Sequence, residues 1–471
     1  MAHYLLYLQE SQLTERKLMS DLQSKIKQRL QEENIKFILA QFTDMHGNAR
    51  VKLCPVSYFD SLVEDGAGFA GAAVAGMGQG PHDHDMKARI DLNTYTRLGW
   101  QPDVVRFATS IYVDGKPHPY CARTNLQRVL NRMEEKHGWV LNIGIEPEHF
   151  LVQKEGHHIK PWNPDDVDHM DKPCYDFKSM APAMSYLKEI THYCNELDWG
   201  VYQADHEDAP GQYEINFDYS DALTTADRFI FFKMMANQVA RKHGAIVTFM
   251  AKPFSDRTGS GAHIHFHLAD KKTGENLFED ENDPRGFGLS ELAYQFIGGV
   301  AKHAPALCAI TSPTTNCFKR LQMGPGLYSS RSGFTWTPAF ISYGDNNRTQ
   351  MLRICGPGHI EDRTVSAAFN PYLGLAAYLS AGLSGIKEKI NPGEPNLDNM
   401  YALRRSEIYK RGLETLPQSL REALIALEQD PVLMDALGPI QKEYIKLKWQ
   451  EWNEYHSQIS DWEIQHYLTF H

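Results

Sequence analysis

The chain is 471 residues long, enough for more than one domain and a sizeable core, and its net charge of −11 argues against nonspecific binding to nucleic acid. No apolar stretch reaches the roughly 18 residues of a membrane span, and an N-terminus carrying Glu10, Glu15 and Asp21 lacks the shape of a signal peptide. The cysteines are scattered without a C-x-x-C pair, which reads as reduced thiols of a cytoplasmic protein.

In chain order, residues 12–33 carry Leu13, Leu18, Leu22, Ile26 and Leu30 among charges, the spacing of one or two amphipathic helices. Residues 37–42 and 51–53 read as strands on either side of a turn that holds Asp44. Val113-Asp114-Gly115-Lys116 is a hairpin signal. A small domain is expected over residues 21–120, preceded by an extension (1–20), with Pro117-His118-Pro119 as the passage into a second domain over 121–471. That second domain alternates helices (124–136, 185–197, 222–243) with strands. Residues 270–286 form a polar surface loop, and from 406 onward the pattern is mostly helical, ending in 462–467. His82-Asp83-His84-Asp85 reads as an exposed loop rather than a metal site.

The chemistry sits in four short segments. In Gly259-Ser260-Gly261-Ala262-His263-Ile264-His265 the two histidines stand two apart, and residues two apart on a strand face the same way. Glu146 and Glu148 share that spacing after the apolar run 139–145. Glu207 leads through a short turn to Glu214, and Glu361 alternates with Arg363. Any one pair would ordinarily be a half-exposed strand with solvated acids. Together, Glu146, Glu148, Glu207, Glu214, Glu361 and His263 suit two hard divalent cations, Mg²⁺ or Mn²⁺, with three protein ligands each. Arg320, Arg348, Arg353 and Arg363 run through the same region. A guanidinium stays protonated and binds carboxylate or phosphate through two donors at once. A lone arginine is usually a surface ion pair; four beside metal-type ligands point to a phosphate and carboxylate site.

The ordered set of motifs resembles the glutamine synthetase family over residues 30–470. It comprises Phe42-Thr43-Asp44-Met45-His46-Gly47, Gly144-Ile145-Glu146-Pro147-Glu148, His206-Glu207 with Gly211-Gln212-Tyr213-Glu214, and Lys252-Pro253 with the Gly259 to His265 run. Asn316-Cys317-Phe318-Lys319-Arg320-Leu321, Asn347-Arg348, Ile360-Glu361-Asp362-Arg363 and Asn370-Pro371-Tyr372-Leu373 complete it. The resemblance implies an α+β fold: a small N-terminal β-grasp-like domain, and a large C-terminal catalytic domain whose antiparallel sheet is flanked by helices. It implies Glu148, Glu207 and Glu214 as ligands of one metal, and Glu146, His263 and Glu361 as ligands of the metal that holds nucleotide phosphates. Arg320 and Gly259 match glutamate-binding positions. His265, Arg348, Arg353 and Arg363 match groups facing ATP or the transferring phosphoryl. Asp44 matches an aspartate that a neighbouring subunit contributes to the amine site, and Tyr175 a tyrosine of that site. Two stacked hexameric rings are the implied assembly.

The implied reaction is ATP-dependent joining of the glutamate γ-carboxylate to an amine or ammonia through γ-glutamyl phosphate. Departures from the family pattern narrow the acceptor. Phe69-Ala70-Gly71-Ala72-Ala73 lacks an acid and a hydroxyl expected near the ammonium, and Thr258 replaces an expected asparagine. Residues 322–344 contain no acid and carry Tyr328, Phe334, Trp336 and Phe340. Gly66-Ala67-Gly68-Phe69-Ala70-Gly71 and Ser332-Gly333-Phe334-Thr335-Trp336-Thr337-Pro338 are similar to the branch that includes γ-glutamylmethylamide synthetases. An organic amine, alkyl or aryl, is therefore the expected acceptor. The alternative is glutamine synthesis from ammonia, with the longer loop packed at a subunit interface. A catalytically silent relative would be expected to have lost ligands that this chain keeps.

Overall fold

The protein is described from a computed structural model covering residues 2–156, 158–322, 330–403 and 405–470. Contacts divide it into two compact units, residues up to 44 with 48–124, and 45–47 with 125–471. Among the described residues no helix is long and apolar enough to cross a membrane.

The N-terminal unit begins with one helix, α1 (Ala2–Glu32), which runs unbroken through residue 20. Among its described side chains the apolar stripe is buried only near the end. Ile26 and Leu30 are buried and Leu22 packs beside them, whereas Leu18, expected on the same face, is 64% exposed. The strands are β1 (Phe37–Thr43), β2 (Ala49–Pro55), β3 (Ala67–Phe69), β4 (Met86–Ile90), β5 (Thr96–Arg97), β6 (Val104–Val113) and β7 (Lys116–Pro117), with α2 (Phe59–Glu64) after β2. They form one sheet in the order β2-β1-β6-β4-β3, with β5 and β7 also on β6; β1 and β6 run parallel. Asp114 and Gly115 both take positive φ (49° and 74°), the two-residue turn that suits the right-handed twist of the β6–β7 hairpin. The His82 to Asp85 segment is exposed. Asp44 closes the β1–β2 turn. It is fully buried and accepts bonds from Asn48 N (2.9 Å) and the Arg50 guanidinium (2.8 Å).

The second unit contains α3 (Ala122–His137), β8 (Trp139–Pro147), β9 (His149–Glu155), β10 (His158–Pro161), α4 (Phe177–Met180), α5 (Met184–Glu196), β11 (Val201–His206), β12 (Gln212–Phe217), β13 (Ser220–Asp221), α6 (Ala222–Lys242), β14 (Ile246–Thr248) and β15 (Ala262–Asp270). It continues with α7 (Glu291–Thr311), β16 (Tyr343–Gly344), β17 (Leu352–Gly356), β18 (His359–Asp362), α8 (Pro371–Glu388), α9 (Arg405–Lys410), α10 (Leu420–Glu428), α11 (Pro431–Leu437), α12 (Gln441–His456) and α13 (Asp461–Tyr467). The strands make two sheets rather than one. The first has the order β10-β9-β12-β11 with β14 on β9, and the second the order β13-β8-β15-β18-β17-β16. All pairs are antiparallel except β16–β17 at an edge.

Strand alternation sorts β15 into two faces. Ile264, Phe266 and Leu268 are buried, and Phe266 meets Phe296 of α7 and Tyr378 of α8 at 5.4 and 5.0 Å. His263, His265 and His267 therefore face the other way. The helical layer beneath depends on glycine: a Cβ on Gly299 of α7 would lie 2.3 Å from the Ala381 carbonyl and 2.7 Å from Gly385 N of α8. Both neighbours are backbone and have no side chain to move aside. Gly299→Ala is accordingly expected to cost about 1–3 kcal/mol by overpacking, read as a lower calorimetric melting temperature. An unchanged melting temperature would mean that the two helices have slack the packing does not suggest. Asp221, Ser290 and Asn370 cap α6, α7 and α8 through their side-chain oxygens, and Pro371 opens α8.

Candidate active site

The chemistry-bearing segments converge on a cavity of about 620 Å³ in the second unit. Its wall includes Glu146, Glu148, Tyr175, Glu207, Glu214, Gly259, His263, Arg320, Arg348, Arg353, Glu361 and Arg363. His265 is bonded to one of these, its Nε2 lying 2.9 Å from Glu146 Oε1. Strand register accounts for the convergence. His263 pairs with Glu146 across β15–β8, His265 with Glu361 across β15–β18, and Arg353 with Glu361 across β17–β18. On the other sheet Asp205 stands directly opposite Glu214. Glu148 sits beyond the end of β8, where Gly261 N and Gln212 Nε2 donate to its Oε2 at 2.8 and 3.1 Å.

Local devices hold these segments. The Glu207 turn is pinned by Asp168, whose buried Oδ2 meets His206 Nε2 (2.9 Å) and accepts from Gly211 N (2.8 Å). Lys252 N donates to Asn316 Oδ1 (2.8 Å) while Asn316 Nδ2 donates to the Lys252 carbonyl (3.0 Å), locking two motifs together. Glycine is required where they cross: a Cβ on Gly259 would lie 2.1 Å from the Ala251 carbonyl, and one on Gly261 2.6 Å from an Arg320 nitrogen. The His149 imidazole behind the site is fully buried, is met by the Tyr186 hydroxyl at 2.8 Å, and is pushed down to about 4 by burial.

The electrostatics divide the carboxylates into two kinds. Burial alone would raise Glu361, but Arg363, His263 and His265 outweigh it and hold it at about 2. Its oxygens accept from Arg363 Nη1 (2.6 Å) and Arg353 Nη1 (2.8 Å). Burial likewise opposes Glu146, yet its bonds to His263 (3.1 Å) and His265 hold it well below the usual carboxylate range. Glu207 and Glu214 have no such answer. Burial, then the charges of their carboxylate neighbours, push both well above the ordinary value. Buried oxygen donors that repel one another suit a hard divalent cation.

Among the described residues, donor atoms within 4.8 Å of one another group as Asp205, Glu207 and Glu214; as Glu146, Glu214 and His263; and as Glu146, His265 and Glu361. These groups cut across the two ligand sets named from the sequence: Asp205 and His265 enter them, and Glu148 instead accepts from the Gly261 and Gln212 amides.

The arginines are placed unequally. Arg320 Nη1 and Nη2 donate to the carbonyls of Thr364, Val365 and Arg363 at 3.0–3.3 Å, and among the described residues the buried Nε of both Arg320 and Arg363 has no hydrogen-bond partner. Arg348 is exposed on the cavity wall. Tyr175 takes a positive φ of 63° and is 70% exposed.

The aromatic residues named in the 322–344 loop do not share one environment. Tyr328 lies outside the described residues. Trp336 lines the cavity, where Arg363 Nη2 donates to its carbonyl (3.2 Å) and its own side chain bonds to Asp208, which also accepts from Ser332. Phe334 packs on Trp336 with centroids 5.4 Å apart. Phe340 is not part of the wall: it is buried with Ala339, Met400 and Ile408. Asp205, Gln212, Asp208 and Tyr202 also line the wall and are not among the candidates named from the sequence. Continuing the two-residue alternation back from Glu207 and Glu214 reaches Asp205 and Gln212.

The family described as glutamine synthetase, catalytic domain, matches residues 119–467. A glutamate–methylamine ligase of Methyloversatilis universalis is 44% identical over 95% of this chain and 99% of that protein. A glutamine synthetase of Rhizobium leguminosarum bv. phaseoli is 39% identical over 92% of this chain and 96% of its own length. A solved structure described as a GmaS/ADP complex superposes with a TM-score of 0.87 at 40% identity, covering 94% of this chain and 99% of that one. With these matches spanning nearly its whole length, the chain belongs to the glutamine synthetase family.

Proposed function

We propose that the protein joins the γ-carboxylate of L-glutamate to an organic amine, using ATP and passing through γ-glutamyl phosphate. The observation that carries this reading is the charge pattern of one cavity: carboxylates that press on one another lie beside carboxylates held by arginine and histidine. Membership of the family makes the chain a carbon–nitrogen ligase and carries with it the general use of ATP and a divalent metal.

Glu148, Glu207 and Glu214, with Glu146, His263 and Glu361, are the residues that would hold Mg²⁺ or Mn²⁺; a bound ion supplies neutralisation of phosphate charge. Arg320 and Gly259 hold the glutamate. Free buried Nε donors on Arg320 and Arg363 suit an incoming carboxylate or phosphate oxygen. A γ-carboxylate oxygen attacks the terminal phosphorus of ATP and ADP leaves, while Arg363 and Arg348 meet the charge on the transferring group. His265, Arg353 and Arg348 face the nucleotide. The amine then attacks the acyl carbon and phosphate departs with the oxygen that carried it. An alkylammonium has a pKa near that of lysine, roughly 10.4, so it must lose a proton first. Asp44, contributed by a neighbouring subunit beside Tyr175, is the proposed base. That role requires a ring assembly; two stacked hexamers in the cytoplasm are the proposed state, checked by light-scattering mass.

Trp336 on the cavity wall, in a loop free of acids, favours an organic amine over ammonia. The test is glutamate-dependent phosphate release with ammonia, methylamine, isopropylamine, ethanolamine and aniline. Higher kcat/KM with an organic amine supports the reading, and preference for ammonia replaces it with glutamine synthesis. Trp336→Ala is expected to raise the amine KM about tenfold and leave the KM for ATP unchanged. Equal changes in both would mean that Trp336 acts only through the fold.

A further inference from the structure

At the edge of the cavity lies a set of donors unlike the carboxylates. His265 on β15 pairs with Glu361 of β18, and His359 precedes Glu361 by two residues, so both imidazoles share one face of adjacent strands. On the far side of β18, the β17 register slips between Ile354 and Gly356, leaving Cys355 as the extra residue of a bulge. A bulge re-aims a side chain. The Cys355 thiol, His265 and His359 consequently present three donor atoms within 4.8 Å of one another. His265 Nδ1 and His359 Nε2 are 2.8 Å apart.

The other nitrogen of His265 is already engaged: Nε2 lies 2.9 Å from Glu146 Oε1. A carboxylate in that position keeps a proton on Nε2, so Nδ1 is the atom turned toward His359 and offered to a metal once the proton it shares with His359 is lost, the usual orientation of a ligating histidine. Cys355 is an unpaired thiol and half-buried, and His359 is exposed, so the cluster is open to solution. Sulfur with two imidazoles selects zinc-like ions, whereas oxygen-rich sites select magnesium or manganese.

We propose that Cys355, His265 and His359 form a binding site for a zinc-class transition-metal ion at the edge of the carboxylate-rich cavity, with His265 shared between the two. On binding, the Cys355 thiol proton and the proton shared by the two imidazoles pass to solvent, and the fourth position stays open. Such an ion occupies His265. Under the ligase reading it therefore suppresses turnover as zinc rises; that consequence rests on the proposed function, but the binding does not.

The test uses the full-length chain in excess Mg²⁺, titrated with Co²⁺ as a spectroscopic probe. The expected result is a thiolate-to-cobalt charge-transfer band that Zn²⁺ displaces. Cys355→Ser should abolish the band with the melting temperature unchanged, and His359→Ala should weaken Co²⁺ affinity roughly 10- to 100-fold. No band, a band that persists in Cys355→Ser, or unaltered affinity in His359→Ala would each overturn the site. None of these readings involves turnover, so failure of the ligase reading leaves them intact.

Discussion

Glu214→Gln is expected to lower kcat by at least ~10²-fold and, in the same protein, to raise the melting temperature measured in excess chelator. The two effects have one cause. Glu214 is 6% exposed, its neighbours Glu146, Glu207 and Glu148 repel it, and the Asn216 side-chain amide at 3.0 Å is a weak answer to that charge. Burial and the neighbouring carboxylates both disfavour charge at this position, so holding a carboxylate there strains the metal-free fold. The neutral, nearly isosteric amide removes that strain together with a cation ligand. Added Mg²⁺ should then stabilise the wild type markedly and the variant little. Equal stabilisation of both by Mg²⁺, with full activity retained, would mean that the acidic cluster is not a metal site.

Arg363→Met is the second large effect, with an expected loss of roughly 10³-fold or more in kcat. Arg363 is 5% exposed; it donates to Glu361 at 2.6 Å and to the Trp336 carbonyl at 3.2 Å. Removing it leaves Glu361 buried with Arg353 as its remaining arginine, and breaking one side of a buried pair typically costs about 3–5 kcal/mol. Stability and catalysis must therefore be separated. Arg363→Lys keeps the charge but not the planar fork, and should recover much of the melting temperature while staying catalytically impaired, with the loss in kcat rather than in the KM for glutamate. Recovery of both together would make Arg363 a structural residue only.

Much of this site was legible before folding because strand alternation is a simple rule. His263 and His265 do share a face, and Glu361 and Arg363 do alternate on the next strand and its exit. Residues brought in by pairing across strands were harder. Asp205 stands opposite Glu214 only because of the β11–β12 register, and a single sequence does not display register. Cys355 was invisible as a partner of His265 because a bulge breaks the alternation that would have placed it. Phe340 was misjudged for the opposite reason. It lies in the short apolar run Pro338-Ala339-Phe340-Ile341, which marks a core segment, and its proximity to Trp336 in sequence does not put it on the same wall. The stripe on α1 continued to Leu18 in sequence, but packing against the unit's core stops near Leu22. The division of the second unit into two sheets, one with a parallel edge, also depends on pairings between distant segments.

In the proposed reaction glutamate is activated as an acyl phosphate before an amine attacks it. This activation is tested most directly by supplying glutamate with both γ-carboxylate oxygens as ¹⁸O, together with ATP, Mg²⁺ and the preferred amine, and analysing the released phosphate by mass spectrometry. Each phosphate is expected to carry one ¹⁸O and the γ-glutamyl amide to keep the other. Phosphate released without ¹⁸O, at a rate matching amide formation, would contradict this activation.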